Sequence, residues 1–189
     1  VAINVAQPFV YTSGIKSPIY CDLRLLTGSP ERRDRITDLL VERVRATCDI
    51  RTLDVVAGVA TAGISWAAWV AKSLNKPMAY VRDAPKGHGK GHQVEGGVLH
   101  SQSAIVLEDL TSAGGSAINA VNGLRDLGLK TDYCFSIFTY ESPQSEDNFR
   151  RAGVKLYSLC GVSTLLEIAT SKRQITAKDE SAVREWLRN

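Results

Sequence analysis

The strongest chemical signal in the chain is the segment Ala104-Ile105-Val106-Leu107-Glu108-Asp109-Leu110-Thr111-Ser112-Ala113-Gly114-Gly115-Ser116. Four apolar residues read as a buried strand, Glu108 and Asp109 stand where that strand should end, and a loop of small residues leads into a helix beginning near Ser116. Thr111, Ser112, Ala113, Gly114, Gly115 and Ser116 would present hydroxyls and backbone N–H groups at a helix N-terminus, where the helix dipole favours an anion such as a phosphate. Gly114 and Gly115 allow close approach of a ligand and a positive φ. Glu108 and Asp109 can accept hydrogen bonds from sugar hydroxyls or balance a developing positive charge. The spacing matches neither G-x-x-x-x-G-K-[ST] nor G-x-G-x-x-G, so the P-loop and dinucleotide fingerprints are excluded. The competing reading is an ordinary β-to-α turn in a doubly wound sheet.

The remaining sequence supplies elements in the order needed to position such a loop. Ser29-Pro30-Glu31 starts a helix, with Ser as the cap, Pro at the first helical position and an acid in the first turn. Ile36, Leu39, Leu40 and Val44 carry the helical period to about Thr47. Residues 53–59 read as a buried strand, and Thr61-Ala62-Gly63 turns the chain into a helix over 64–74. Its Trp66 and Trp69 read as core groups rather than ligand contacts. A strand at 78–81 precedes residues 83–97, which carry five glycines and no apolar period. Strands at 104–109, 132–139 and 155–160 alternate with a helix from 116 to 127, and helices near 163–170 and 178–188 close the chain. At the other end, short apolar pieces stop at Thr12-Ser13-Gly14, and residues 15–24 read as extended. Alternation of this kind predicts an α/β fold with a mainly parallel sheet covered on both faces, in which ligands sit beyond the carboxyl ends of the strands. Loops 59–63, 82–97 and 109–115 leave those ends.

Composition narrows the function. With 189 residues, 44% of them hydrophobic and 23% charged, one domain with a real core is expected. A net charge of +3 is too small to indicate a nucleic-acid binder. Cys21, Cys48, Cys134 and Cys160 form no C-x-x-C pair, so free thiols in a reducing cytoplasm are expected rather than a zinc or redox site. No apolar run approaches ~18 residues, and neither a membrane span nor a signal peptide is expected.

Four segments together resemble the orotate branch of the type I phosphoribosyltransferase family, in the form found in Gram-positive bacteria. They are Phe9-Val10-Tyr11-Thr12-Ser13-Gly14-Ile15-Lys16-Ser17-Pro18-Ile19-Tyr20-Cys21-Asp22, Gly58-Val59-Ala60-Thr61-Ala62-Gly63-Ile64, Tyr80-Val81-Arg82 through Lys86-Gly87-His88-Gly89-Lys90-Gly91, and the 104–116 segment. The last is shared by many phosphoribosyltransferases, whereas the Ser13–Pro18 and Lys86–Gly89 pieces are more specific to the orotate branch. The resemblance implies one domain over residues 1–189. Residues 1–30 would form most of a small hood, helped by some C-terminal chain, and residues 82–97 a mobile active-site loop.

The implied reaction is attack of orotate on C1 of 5-phosphoribosyl 1-diphosphate (PRPP), giving orotidine 5′-monophosphate and pyrophosphate in pyrimidine synthesis. Its transition state should resemble an oxocarbenium ion, so cations must meet the pyrophosphate and water must be excluded. By the same resemblance, Lys86, His88 and Asp109 are the catalytic residues. Thr111 to Ser116 would cradle the 5′-phosphate, and Glu108 and Asp109 the ribose hydroxyls. Thr61, Ala62 and Gly63 would form the pyrophosphate loop, with Arg82, Lys86 and His88 as further donors. Lys16 would meet the orotate and pyrophosphate side, and Tyr20 and Cys21 the flat base. Mg²⁺ is the implied cofactor, carried mostly by PRPP oxygens and water rather than by a protein cage. A cytoplasmic homodimer is implied, with the 82–97 loop crossing to the neighbouring subunit.

Other readings of these residues compete. Lys16 fits a solvated surface lysine, His88 and His92 a metal pair, the Lys/Gly/His run a basic linker or RNA contact, and Glu108–Asp109 a direct metal site. The chain also departs from the family pattern. Asp83 follows Arg82 where many relatives carry Lys or Ser, Trp66 stands where Gram-positive relatives have Pro-His, and Leu23 replaces an Asn. Residues 138–141 read Phe-Thr-Tyr-Glu, where some relatives place an Arg against the base. These differences keep two alternatives open: a different base, or a non-catalytic sensor of PRPP or a nucleotide.

Overall fold

The computed structural model describes residues 1–10, 14, 16–84, 93–100 and 102–188. The described chain runs β1 (Ala2–Ile3), β2 (Phe9–Val10), β3 (Lys16–Ser17), β4 (Ile19–Tyr20), a 3₁₀ turn (Leu23–Gly28), α1 (Pro30–Thr47), β5 (Val55–Val59), α2 (Gly63–Leu74), β6 (Met78–Val81) and β7 (Val94–Glu95). It continues through β8 (Ser103–Thr111), α3 (Gly115–Asp126), β9 (Lys130–Thr139), α4 (Pro143–Ala152), β10 (Lys155–Gly161), α5 (Val162–Ser171) and α6 (Ala177–Arg188). Six strands form the central sheet in the order β10-β9-β8-β5-β6-β7. All neighbours are parallel except β7, which pairs antiparallel with β6. That short strand lies within 83–97, where the sequence showed no period.

Both faces of the sheet are buried, as the apolar runs require. Val56, Ile105, Leu107, Phe135 and Ile137 point to one side, where Leu40 and Val44 of α1, Trp66 and Val70 of α2, Leu166 of α5 and Val183 of α6 complete a core. Val55, Ala57, Val59, Ala104 and Val106 point to the other, against Ala117, Ala120, Val121 and Leu124 of α3 and Phe149 of α4. Trp66 is 1% exposed, and its ring meets Trp69 edge-on at 5.0 Å. It is a core residue, so its departure from the relatives' Pro-His acts on packing.

β5 is followed by β6 on one side and then by β8 on the other. The order in which strands are added therefore reverses between β5 and β8, which stay parallel, and a crevice opens past their carboxyl ends at this switch point. Two small antiparallel ladders, β1 with β4 and β2 with β3, stand above it. Ile19 and Leu23 sink into the α1-side core, and Trp186 Nε1 of α6 donates to Lys16 O at 2.9 Å, so both chain ends hold these ladders in place.

Three differences from the sequence reading bear on the site. Of the segment read as extended over 15–24, the described part from Lys16 is extended only to Tyr20; Asp22 then accepts from Arg24 N and coils the chain into the 3₁₀ turn. β8 runs two residues beyond 109, because Leu110 and Thr111 continue the ladder opposite Phe138 and Thr139. α4 was absent from the sequence reading altogether.

Candidate active site

Glycines set the first wall of the crevice. A Cβ on Gly63 would lie 2.5 Å from Leu107 O, and one on Gly58 would lie 2.7 Å from Gly63 O. Only with hydrogen at both positions can the first turn of α2 rest directly on β5 and β8. This brings Ala60, Thr61 and Ala62 to the crevice rim, with Gly63 packed behind them. The Ala60–Thr61 peptide is cis, and Ala60 N donates to Val81 O at 2.8 Å. No side chain caps α2; Ile64 N donates to Thr61 O at 3.3 Å, and the remaining first-turn N–H groups are left for a ligand or solvent.

The second wall is the loop after β8. Gly114 takes φ +80° and caps α3 without any side-chain hydrogen bond. Gly115 begins the helix and does not share the positive φ expected of it. α4 braces this loop from behind: Ser142 Oγ donates to Ser112 O at 2.9 Å, and Asn148 Nδ2 donates to Ala113 O at 3.0 Å. A Cβ on Gly114 would meet the Phe149 ring at 2.5 Å. Since C=O and N–H of a trans peptide point opposite ways, fixing those carbonyls on α4 turns the Ala113 and Gly114 amides away from it. Thr111 does not belong to the open loop. It is buried at the end of β8 with its hydroxyl toward Phe138 O at 3.5 Å, so its side chain faces the strand ladder rather than the loop.

Between the walls, strand alternation puts Glu108 on the Val106 side and Asp109 on the Leu107 side. Both line an open cleft of about 390 Å³ with Tyr20, Cys21, Asp22, Arg24, Asp83 and Ser116. Glu108 is 7% exposed; burial first, then the neighbouring Asp109 carboxylate, raises its pKa to about 9. The unfolded chain releases this proton above the ordinary value of 4.5, so stability falls as pH climbs from 4.5 toward 9. Glu108→Gln cannot ionise and is expected to melt above the parent at about pH 8, the gap closing as the pH falls toward 4.5. A gap that ignores pH in a melting series would remove the charge explanation.

The hood supplies the third side. Tyr20 packs its ring 5.7 Å from Phe9, and burial pushes the Cys21 thiol up to about 11, against a hydrogen bond from its contact with Tyr140. Lys16 is exposed in β3 and is not among the cleft-lining residues. Arg82 stands beside the cleft rather than in its lining and pairs with Glu95 at 3.6 Å. Lys86 and His88, with His92 and the rest of residues 85–92, lie outside the described residues. Arg24 and Asp22, unassigned from sequence, line the cleft as a bidentate pair; the Asp-x-Arg spacing was their only signal.

Asp83 is exposed at the rim, with its carbonyl held by Asn119 Nδ2 at 2.9 Å. Its charge opposes an entering polyanion, so Asp83→Ser is expected to lower the KM for PRPP by about two- to threefold, less at high salt. If kinetics show KM rising in both Asp83→Ser and Asp83→Lys, the carboxylate has a positive role instead.

No protein-family model matches the sequence. Against curated proteins, the chain is 43% identical over 183 residues to the orotate phosphoribosyltransferase of Listeria monocytogenes, covering 97% of this chain and 87% of the relative. The chain belongs to the orotate phosphoribosyltransferases. The Bacillus mycoides orotate phosphoribosyltransferase is 44% identical over 183 residues, covering 97% and 86%. Among solved structures, the orotate phosphoribosyltransferase of Aeropyrum pernix superposes with a TM-score of 0.77 at 32% identity over 88% of this chain and 92% of its own. The Mycobacterium tuberculosis enzyme in complex with PRPP, at 22% identity and a TM-score of 0.66, shares the fold over 86% of this chain and 91% of its own. The type I phosphoribosyltransferase fold, the transferase activity and the place in pyrimidine biosynthesis follow from this membership. Among the described residues, no helix is long and apolar enough to cross a membrane.

Proposed function

We propose that this orotate phosphoribosyltransferase joins orotate to PRPP in the cleft past β5 and β8, and that its residues divide the work by wall. One observation carries the reading: two helices, α2 and α3, begin at one cleft without side-chain caps, with a carboxylate pair between them. PRPP has the matching form, an anionic group at each end of a ribose. The amides of Ser112, Ala113, Gly114, Gly115 and Ser116 take the 5′-phosphate. Asp109 and protonated Glu108 take the ribose hydroxyls, one accepting and one able to donate. The amides of Thr61, Ala62 and Gly63, with Arg82, Lys86 and His88, take the pyrophosphate as negative charge grows on it. Tyr20 and Cys21 cover the base, and Lys16 lies at the hood end of the same route.

The oxygen-only carboxylates at the cleft suit a hard cation. Among the described residues, no group of three or more His, Cys, Asp or Glu side chains could cage a metal. Mg²⁺ would therefore be held mainly by substrate oxygens and water beside Asp109, supplying charge neutralisation on the pyrophosphate. The chain works as one domain, with 1–30 as most of the hood, in the cytoplasm where its four free cysteines stay reduced. The deciding assay is loss of orotate absorbance with PRPP and Mg²⁺, run beside uracil and purine bases. Turnover of a purine in preference to orotate would overturn the assignment of the base.

The protein acts as a homodimer in which the 82–97 loop serves the neighbouring site. With Arg82 N donating to Gln93 O, residues 83–92 going out and back reach at most about 16 Å, enough to enter a neighbouring site across a close two-fold interface. Lys86→Ala and Asp109→Asn, each inactive alone, are expected to recover about a quarter of parental activity when refolded together, because half the random dimers then carry one intact site. Absence of recovery in verified mixed dimers would place each loop over its own site.

A further inference from the structure

Among the described residues lining the cleft, Arg24 is the one basic side chain, facing the carboxylates Asp22, Asp83, Glu108 and Asp109. Its position is fixed by a device built into the turn. Asp22 Oδ1 accepts from Arg24 N at 3.1 Å, which starts the 3₁₀ turn, and from Arg24 Nε at 2.8 Å; Oδ2 accepts from Nη2 at 2.9 Å. Asp22 thus grips the guanidinium side-on through Nε and Nη2. A guanidinium has five N–H bonds in two forks, and this pairing uses one fork. The end-on fork, formed by Nη1 and the outer hydrogen of Nη2, makes no hydrogen bond among the described residues. The side chain is 67% exposed, so it reaches the cleft without itself being part of the core.

Orotate differs from uracil by a planar carboxylate on the carbon next to the attacking nitrogen. That group must sit close to the new bond, in a cleft whose described walls are otherwise acidic or neutral. A planar carboxylate and a free guanidinium fork match in charge and geometry. We infer that the end-on fork of Arg24 receives the carboxylate of orotate, making Arg24 a specificity-determining contact and Asp22 the residue that positions it. This rests on the reading that orotate is the base. Because Asp22 has already ordered the side chain, little rotamer freedom remains to be lost on binding. The arrangement supplies a base-side cation although residues 138–141 carry none.

The test compares orotate with its carboxamide, in which the anion alone is removed. The parent, Arg24→Ala, Arg24→Gln and Asp22→Ala are assayed for KM toward orotate and PRPP, and for competitive inhibition by the carboxamide and by uracil. Arg24→Ala and Arg24→Gln are expected to raise the KM for orotate about 10- to 100-fold. The KM for PRPP should stay within about twofold, and the preference for orotate over its carboxamide should shrink by the same factor as the orotate loss. Asp22→Ala should cost less, about three- to tenfold, in orotate KM only, because the cation remains but swings free. Equal losses for orotate and carboxamide, or a rise confined to PRPP, would overturn the inference and move Arg24 to the pyrophosphate. Melting curves separate these outcomes from unfolding. Failure of the parent itself to consume orotate would instead defeat the assignment of the base, so the two failures are told apart.

Discussion

Asp109→Asn is expected to cut kcat/KM by about 10²–10³-fold, the cost of removing one preorganised group from a charge-forming transition state, while the melting temperature moves by no more than about 3 °C. The fold has little reason to notice. Asp109 is half-buried, and its recorded hydrogen bond is from Leu110 N to Oδ1 at 2.8 Å, which an amide oxygen can accept as well. The chemistry has every reason to notice, because in the proposed role Asp109 would face the ribose that becomes cationic, and the amide keeps the shape while losing the charge. The neighbour adds a signature. Asp109's charge is one cause of Glu108's raised pKa, so its removal should let Glu108 ionise at lower pH. Loss of residual turnover as Glu108 gives up its proton should then set in at lower pH than in the parent. Near-normal kinetics would exclude the ribose role, and a collapsed melting curve would make Asp109 a structural acid.

Gly63→Ala should be the most damaging single-methyl change at the site. The new Cβ would lie 2.5 Å from Leu107 O and 3.4 Å from Glu108 Cα, both backbone, so no rotamer can relieve it. The first turn of α2 must lift off β8, at a cost of about 1–3 kcal/mol of stability. Thr61 and Ala62 move with it, away from the position that would meet pyrophosphate. Activity should therefore fall about 100-fold or more, since a misplacement of roughly 1 Å is enough for that. Gly28→Ala is the control: a Cβ there meets nothing within 4 Å, and both stability and turnover should be unchanged. If Gly63→Ala melts like the control and retains activity, the close approach of α2 to β8 is not what sets this wall.

What could be read in the sequence, and what could not, follows from the length and burial of each element. The central strands announced themselves because both faces are buried, giving unbroken apolar runs such as Ala104–Leu107. The hood strands are two residues each, too short for any period, and only the resemblance pointed to them. α4 escaped because Ser145 and Phe149 alone among its residues are buried, so no apolar stripe marks it. Its cap was nevertheless legible: Ser142-Pro143 repeats the Ser29-Pro30 start of α1, and Gly153 closes it in a left-handed conformation. The end of β8 was not legible, because ladder pairing of Thr111 with Thr139 carries the strand past the carboxylates that look like its end. Arg24 was passed over for a related reason: a residue two beyond an apolar strand looked like its end, and the side-chain capture by Asp22 is a tertiary fact of the turn.

The contrast in helix starts has a thermodynamic meaning. α1 and α4 carry their own Ser caps, while α2 and α3, which open on the cleft, carry none. The folded protein without substrate thus keeps amide donors at two helix starts that no side chain caps. A phosphate at each would do for those helices what Ser29 and Ser142 do for theirs. Substrate then becomes a missing piece of secondary structure, and the enzyme's stability in the cell is linked to its supply: each tenfold excess of ligand over its dissociation constant adds about 1.4 kcal/mol to the folded state. A protein of this build is most easily unfolded, and most easily cleared, when it has nothing to work on.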